Sequence, residues 1–209
     1  MMTALRNIPY YNDIMHRDGW PKGDVVSEGL FDQTIGLVGY GTITGLVIDL
    51  LKPFGCKIKV YSRYLSPGVC AEKKIQKADL EEIFTTCKII SLHSAQTPET
   101  YHMIGRDLLE MIRDHSIFIN TARGSIVDET ALENELAKNR FKAVLDVFDQ
   151  EPLPNDSRLR QMDNVILIPH MAGPTVDRRA YITEHLIDEM TGFFEGKPLK
   201  YEITNEMSV

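Results

Sequence analysis

Thr34-Ile35-Gly36-Leu37-Val38-Gly39-Tyr40-Gly41-Thr42 runs from an apolar segment into a glycine-rich turn. Its first part, Thr34–Val38, has the length and composition of a buried β-strand, and a helical pattern begins at Thr42. Gly39 permits the tight turn, and Gly41 lets the backbone approach a pyrophosphate held at the helix N-terminus. The order of strand, turn and helix predicts a dinucleotide site. Its first predicted contacts are Gly39, Tyr40, Gly41, Thr42 and Ile43.

One position of this motif departs from the usual pattern. The third glycine position is normally Gly or Ala, which allows the helix to pack closely on the strand, and residue 44 is Thr. We expect Thr44 to weaken this packing more than phosphate binding, because the first two glycines face the ligand. The helix itself is predicted over Thr42–Phe54, with one buried face. That face is predicted to contain Val47, Leu50, Leu51 and Phe54.

The rest of the chain continues the alternation of strand and helix. The predicted strands are short apolar or β-branched runs at Thr34–Val38, Lys57–Tyr61, Ile89–Leu92, Ile117–Asn120, Ala143–Val147 and Val165–Ile168. Further predicted helices cover Asp79–Thr86, Arg106–Ile112 and Glu129–Asn139. Because parallel strands need crossover helices, this order predicts an α/β fold with a doubly wound parallel sheet of the Rossmann type.

Composition narrows the classes of function. The chain has 209 residues, of which 43% are hydrophobic and 25% charged, which is typical of a globular domain. A net charge of −7 argues against a nucleic-acid partner, since phosphate binding needs a surplus of Lys and Arg. Cys56, Cys70 and Cys87 lack the spacing of a metal site or disulfide framework, and no metal is predicted. With no signal-like or membrane-spanning run, we predict a cytoplasmic protein with no membrane partner.

The end of the second predicted strand should reveal the choice of cofactor. An acidic residue roughly 20 positions beyond the glycines normally binds the ribose hydroxyls of NAD. Here the chain has Ser62 and Arg63, which can donate hydrogen bonds to a 2′-phosphate. The sequence therefore predicts NADP(H), with NAD(H) as the alternative. A solvated Arg63 with no ligand is the other reading left open.

Several ordered motifs resemble those of the D-isomer-specific 2-hydroxyacid dehydrogenase family. They are Ile35–Gly41, Ser91–His93 with Thr97–Thr100, Asn120–Gly124, Asp146–Phe148 with Glu151–Pro154, and Pro169–His170 with Ala172–Gly173. The resemblance covers nearly all of residues 31–197. It implies reversible hydride transfer between a nicotinamide cofactor and a small 2-oxo or 2-hydroxy acid, as in glyoxylate or hydroxypyruvate reductases.

The resemblance also assigns roles that suit the side chains. Arg123 would bind the substrate, His170 would transfer a proton, and Glu151 would orient His170 and favour its protonated form. Asp146 would contact the nicotinamide amide. The remaining cofactor-lining residues would be His93, Thr97, Thr121, Ala122 and Ala172. A short-chain reductase is set aside because the sequence contains no Tyr-x-x-x-Lys.

The two ends of the chain do not fit the alternation. The resemblance implies that family members carry a further α/β segment before the counterpart of Arg6–Trp20. We therefore expect only remnants of the second, substrate-binding lobe, with residues 1–30 as a remnant or linker, 31–174 as the dinucleotide-binding domain and 175–209 as a returning helix. An apolar stripe on that helix, formed by Ile182, Leu186, Met190 and Phe193, predicts self-association, and a homodimer is expected. The alternative is a dimeric cofactor-binding module without turnover.

Overall fold

The structure is a computed structural model that describes residues 1–17, 19–21, 23, 26–200 and 202. The chain forms two compact units, Met1–Pro169 and His170–Val209. None of the helices among these described residues is long and apolar enough to cross a membrane.

A single sheet of parallel strands organises the first unit. Its strands are β1 (Thr34–Val38), β2 (Lys57–Tyr61), β3 (Gln76–Lys77), β4 (Ile89–Leu92), β5 (Ile117–Asn120), β6 (Lys142–Leu145) and β7 (Val165–Leu167). They lie in the order β3-β2-β1-β4-β5-β6-β7, and every pairing is parallel. The winding reverses between β1 and β4, which confirms the predicted doubly wound fold.

Helices lie before, between and after these strands in the chain. In the first unit they are α1 (Met2–Leu5), α2 (Ile8–Arg17), α3 (Thr42–Leu51), α4 (Pro67–Lys73), α5 (Leu80–Thr86), α6 (Arg106–Met111) and α7 (Glu129–Leu136). The second unit contains α8 (Val176–Phe194), and 3-10 turns occur at Lys52–Phe54, Gly124–Ile126 and Arg158–Gln161.

The sheet has a hydrophobic core on each face. Successive residues of one strand point to opposite faces, so Ile89 of β4 joins one cluster and Ile90 the other. The first cluster includes Phe84 and Leu109 from α5 and α6, and the second includes Ile48 from α3. Burial on both sides explains why three of the four residues in each of β4 and β5 are large and apolar.

The sequence predictions hold for most elements and fail at a few boundaries. The bounds of β1, β2, β4 and β5 are confirmed, whereas β6 ends at Leu145 and β7 at Leu167. The short strand β3 and helix α4 were not predicted. A signal for α4 was present, because Ser66 caps it by accepting a hydrogen bond from the Val69 N–H at 3.3 Å, and Pro67 occupies its first turn.

The predicted buried face of α3 is wrong at one position. Leu50 is 73% exposed, and the buried residues are Thr44, Ile48 and Leu51. The reason is the close contact between Thr44 and the glycine turn, which sets the rotation of the helix about its axis. The helix also ends earlier than predicted, since Pro53 continues the chain as a 3-10 turn.

Candidate active site

The candidate residues of the first unit lie along one edge of the sheet. Val38 pairs with Tyr61 and with Leu92, and the same register continues through the ends of β5 and β6. The residues that directly follow these strand ends therefore share one row at the carboxyl edge, where open α/β sheets bind ligands. They are Gly39, Ser62, His93, Thr121 and Asp146.

The glycine turn has the shape that a dinucleotide requires. Gly39 has φ +103°, and a Cβ there would lie 2.6 Å from the Ser94 backbone nitrogen, so only glycine fits. Gly41 caps α3 in extended conformation, and a Cβ on it would meet no atom within 4 Å. The space in front of the helix is thus open. Because the first N–H groups of a helix lack partners within it, this space suits a pyrophosphate.

Thr44 fits the position where glycine or alanine was expected. Its side chain is buried, with 1% exposure, and its hydroxyl donates a hydrogen bond to the Gly39 carbonyl at 3.0 Å. The buried hydroxyl is therefore satisfied, and it ties the helix to the turn. Among the other predicted contacts of the turn, Tyr40 is half-buried, while Thr42 and Ile43 are exposed in the first turn of α3.

At the end of β2, Ser62 is buried and Arg63 is exposed. The Ser62 hydroxyl accepts a hydrogen bond from the Tyr64 N–H at 3.2 Å, which leaves its own hydrogen to donate. Across the site, a hydrogen bond from Thr97 holds the pKa of Glu99 below its usual range, and the positive charge of Arg63 lowers it further. The Glu99 carboxylate, in the loop after β4, therefore lies within electrostatic range of Arg63 in the loop after β2.

His93 is held neutral beside the turn. Burial lowers its pKa to about 4, and Nε2 lies 3.1 Å from the Ser91 hydroxyl. A neutral ring at physiological pH cannot serve as a proton donor, so His93 fits a lining role rather than an acid–base role. Thr97 lies further along this loop, where its N–H donates to the Thr100 hydroxyl at 2.8 Å.

A buried amide fixes the loop that carries Arg123. The Asn120 side chain donates to the Arg123 carbonyl at 2.9 Å and accepts from the Ala122 N–H at 3.1 Å. The Arg123 guanidinium donates to the Ala122 carbonyl at 2.7 Å. Next in the chain, a Cβ on Gly124 would lie 2.0 Å from the Phe148 carbonyl oxygen. The loop after β5 is therefore pressed against the loop after β6.

That second loop carries Glu151. Its Oε1 accepts a hydrogen bond from the Phe148 N–H at 3.0 Å, and the Glu151–Pro152 peptide bond is cis. Arg160 holds the following segment by donating to the Leu153 carbonyl at 2.7 Å and the Pro154 carbonyl at 2.8 Å. Glu151 is thus oriented by its own loop, close in the fold to the loop of Arg123.

The predicted catalytic and nicotinamide-contacting residues are divided between the two units. Arg123, Glu151 and Asp146 lie in the first unit, on the loops that follow β5 and β6. His170 and Ala172 open the second unit, where His170 has φ +46°. Their approach to Arg123 stays a prediction. Within the described part of the chain, no group of three or more His, Cys, Asp or Glu side chains is arranged to hold a metal ion.

Sequence reasoning gave no role to Asn120, Gly124 or Arg160. Asn120 and Gly124 are the first and last residues of the Asn120–Gly124 motif. The motif by itself did not reveal the hydrogen bonds of Asn120 or the close contact at Gly124. Arg160 had no sequence signal, because its partners are backbone carbonyls whose direction depends on the fold.

Known proteins resemble this chain over most of its length. A model of the family described as D-isomer specific 2-hydroxyacid dehydrogenase, NAD binding domain, matches residues 1–172. A glyoxylate reductase of Thermococcus litoralis is 36% identical over 205 residues, which cover 94% of this chain and 62% of that protein.

Solved structures agree with this match. The crystal structure of D-lactate dehydrogenase with NAD+ from Lactobacillus jensenii has a TM-score of 0.86 at 28% identity, covering 98% of this chain and 66% of that one. An acyclic imino acid reductase in complex with NADPH and D-Arg has a TM-score of 0.84 at 25% identity, covering 97% of this chain and 64% of that one. The chain spans less than two thirds of each of these relatives.

Proposed function

The chain belongs to the D-isomer-specific 2-hydroxyacid dehydrogenase family, and we propose that its activity is hydride transfer between NADP(H) and a small 2-oxo or 2-hydroxy acid. One observation carries this proposal: the loop of Arg123, fixed by Asn120, lies against the loop of Glu151 at the same sheet edge as the glycine turn. Cofactor and substrate would therefore meet at one edge. The relative named a glyoxylate reductase supports glyoxylate as the first test substrate, and the family resemblance adds hydroxypyruvate as the second.

The chemistry divides among three side chains. A nicotinamide cofactor held at this edge by the glycine turn would supply the chemistry of hydride transfer to or from the substrate carbon. Arg123 stays charged and can hold the substrate carboxylate and the carbonyl oxygen. In the reducing direction, the His170 imidazolium gives its proton to that oxygen, and it is reprotonated from solvent afterwards. Glu151 is proposed as the carboxylate that would orient the His170 ring and fix its tautomer.

The preference for NADP(H) is supported by the end of β2. The residues there are Ser62, Arg63 and Tyr64, so this segment has no carboxylate to repel a 2′-phosphate. Arg63 is exposed and can pair with the phosphate through two N–H groups, and Ser62 has a hydroxyl hydrogen to donate.

A homodimer is also proposed. In the second unit, the predicted stripe on α8 is exposed at all four positions, with 39% exposure for Ile182 and 59–60% for Leu186, Met190 and Phe193. An exposed apolar stripe of this kind favours association with a second copy.

Two measurements on the 209-residue chain test the function. Calorimetric titration should show tighter binding of NADPH than of NADH, and Arg63→Ala should remove most of this difference. If Arg63→Ala leaves the preference unchanged, the assignment of Ser62 and Arg63 is wrong. Reduction of glyoxylate or hydroxypyruvate is then assayed on the same sample, with NADPH consumption as the readout.

The proton transfer is tested with a second variant. We expect His170→Gln to leave NADPH affinity within about twofold and to lower turnover at least a hundredfold, the usual scale of a lost general acid. Turnover equal to that of the unmodified chain would remove His170 from this role. Binding of NADPH with no reduction by the unmodified chain would favour the binding module over the enzyme.

A further inference from the structure

We propose that Lys77 of β3 is a second cation that selects the 2′-phosphate of NADP(H), acting beside Arg63. This inference rests on the proposed preference for NADP(H) and adds a residue to it. Lys77 lies sixteen residues after Tyr61, the last residue of β2, and α4 lies between them. Only strand pairing in the sheet brings Lys77 back to the edge that carries the cofactor-site residues.

The placement of Lys77 follows from strand pairing. Lys77 pairs with Val60 in the parallel register of β2 and β3, two residues before Ser62. Its ammonium group donates a hydrogen bond to the Leu65 carbonyl at 3.3 Å. The side chain therefore reaches over the loop that contains Arg63.

Ser62, Arg63 and Lys77 border the same cavity. It has a volume of about 450 Å³, opens at the end of β2 and β3, and is also lined by Asp79 and Glu82. A phosphate needs only a fraction of this space, and one hydroxyl-bearing residue and two cationic residues line it. This combination of donors is the one that phosphate recognition uses.

The two carboxylates at the cavity are already engaged. Asp79 caps α5 by accepting from the Glu82 N–H at 2.7 Å. Glu82 Oε1 accepts from the Lys59 ammonium at 2.6 Å and from the Gln76 amide at 3.0 Å. Among the residues that the structure describes, Lys77 forms no ion pair with a carboxylate. Its charge thus remains available to an anion.

The experiment separates charge at Lys77 from general effects on the fold. Lys77→Met keeps the aliphatic stem and removes the charge, and Lys77→Arg retains a cation. Lys57→Met is the matched control, because Lys57 is exposed at the opposite end of β2. Each protein is titrated calorimetrically with NADPH, NADH, adenosine 2′,5′-bisphosphate and adenosine 5′-monophosphate, and circular dichroism checks the fold.

We expect Lys77→Met to weaken NADPH and the 2′,5′-bisphosphate by about tenfold, with NADH and the 5′-monophosphate changed less than twofold. Lys77→Arg should restore most of the affinity, and Lys57→Met should change none of the four. Equal losses for all four ligands, or no loss for NADPH, would overturn the role of Lys77. If the unmodified chain prefers NADPH and Lys77→Met leaves the affinity for NADPH unchanged, only the role of Lys77 is refuted. If the unmodified chain prefers NADH, the proposed cofactor preference fails as well.

Discussion

Gly41 and Gly124 lie in two loops of the candidate site, and glycine is required at each for an opposite physical reason. Gly41 has an extended backbone that any residue adopts, and its missing Cβ leaves room for a ligand. Gly124 has no such room, because the Phe148 carbonyl fills the position of its Cβ. One glycine serves binding, and the other serves the packing of two loops.

This difference predicts distinct effects of alanine at the two positions. Gly41→Ala should change the free energy of unfolding by less than about 0.5 kcal/mol but weaken NADPH binding at least tenfold, since the new methyl group enters the pyrophosphate space. Gly124→Ala should destabilise the protein by about 1–3 kcal/mol, because the backbone must shift. Urea unfolding and calorimetric titration distinguish them. Equal loss of stability in both variants would contradict the proposed pyrophosphate space.

The lowered pKa of the half-buried His93 imidazole predicts a dependence of stability on pH. Its pKa falls from 6.5 to about 4 on folding, so the unfolded chain binds more protons between these values. Stability should therefore decrease as the pH falls from about 6.5 to about 4, by at most about 3 kcal/mol from this group. His93→Gln should show a shallower loss of stability over this window in urea unfolding at pH 7 and pH 4.5. A parallel loss in both proteins would show that His93 titrates normally.

At the scale of elements, a charged network ties the end of α7 to the start of β6. Glu135 of α7 is 3% exposed and accepts from Arg140 Nη2 at 3.0 Å, and Arg140 Nη1 also donates to the Ile112 carbonyl at 2.6 Å. Burial raises the pKa of Glu135, but hydrogen bonds from Lys138 and Arg140 outweigh this and lower it overall. The network joins α6, α7 and β6.

Removal of the Arg140 guanidinium should reveal how much the burial of the Glu135 carboxylate lowers the free energy of unfolding. Arg140→Met is expected to destabilise the protein by about 2 kcal/mol, since it leaves the Glu135 carboxylate with less compensation. Arg158→Met is the control, because the Arg158 pair with Glu133 is more exposed, and we expect less than about 1 kcal/mol there. The pKa of Glu135 is lower in the folded protein than in the unfolded chain. The Glu135 carboxylate therefore stabilises the fold fully at pH values above its unfolded-state pKa, and this stabilisation is lost as the pH falls through its folded-state pKa. Equal effects of both variants in urea unfolding would contradict a special role for the network.

For individual helices and strands, the sequence predicted the features that depend on residues close together in the chain. The bounds of β4 and β5 were readable because each is an apolar run closed by polar residues. The bounds of β3 were not, since it has two exposed residues and exists only by pairing with β2. The exposure of Leu50 was also beyond prediction, because both possible faces of α3 are apolar and contact with the turn decides between them.

At the scale of the whole molecule, the apolar stripe of α8 predicts association. Light scattering after size exclusion should give twice the 23.8 kDa of one chain. Leu186→Glu places a charge in the stripe and should shift the protein towards monomer, because the interface would have to bury that charge. Thr191→Glu adds the same charge on another side of the helix and should leave the mass unchanged. A monomer for the unmodified chain would refute the dimer.

The sequence by itself determined the fold class and the glycine turn, because each depends on local periodicity or on a short motif. The other candidate residues came from motifs that resemble those of the family. Only the tertiary structure decided that Gly39, Ser62, His93, Thr121 and Asp146 share one row, since that requires the register of parallel strands far apart in the chain. It also decided that Thr44 fits beside Gly39 and that Lys77 returns to Arg63. Both depend on where distant backbone atoms come to lie, and no periodicity in the sequence encodes such a distance.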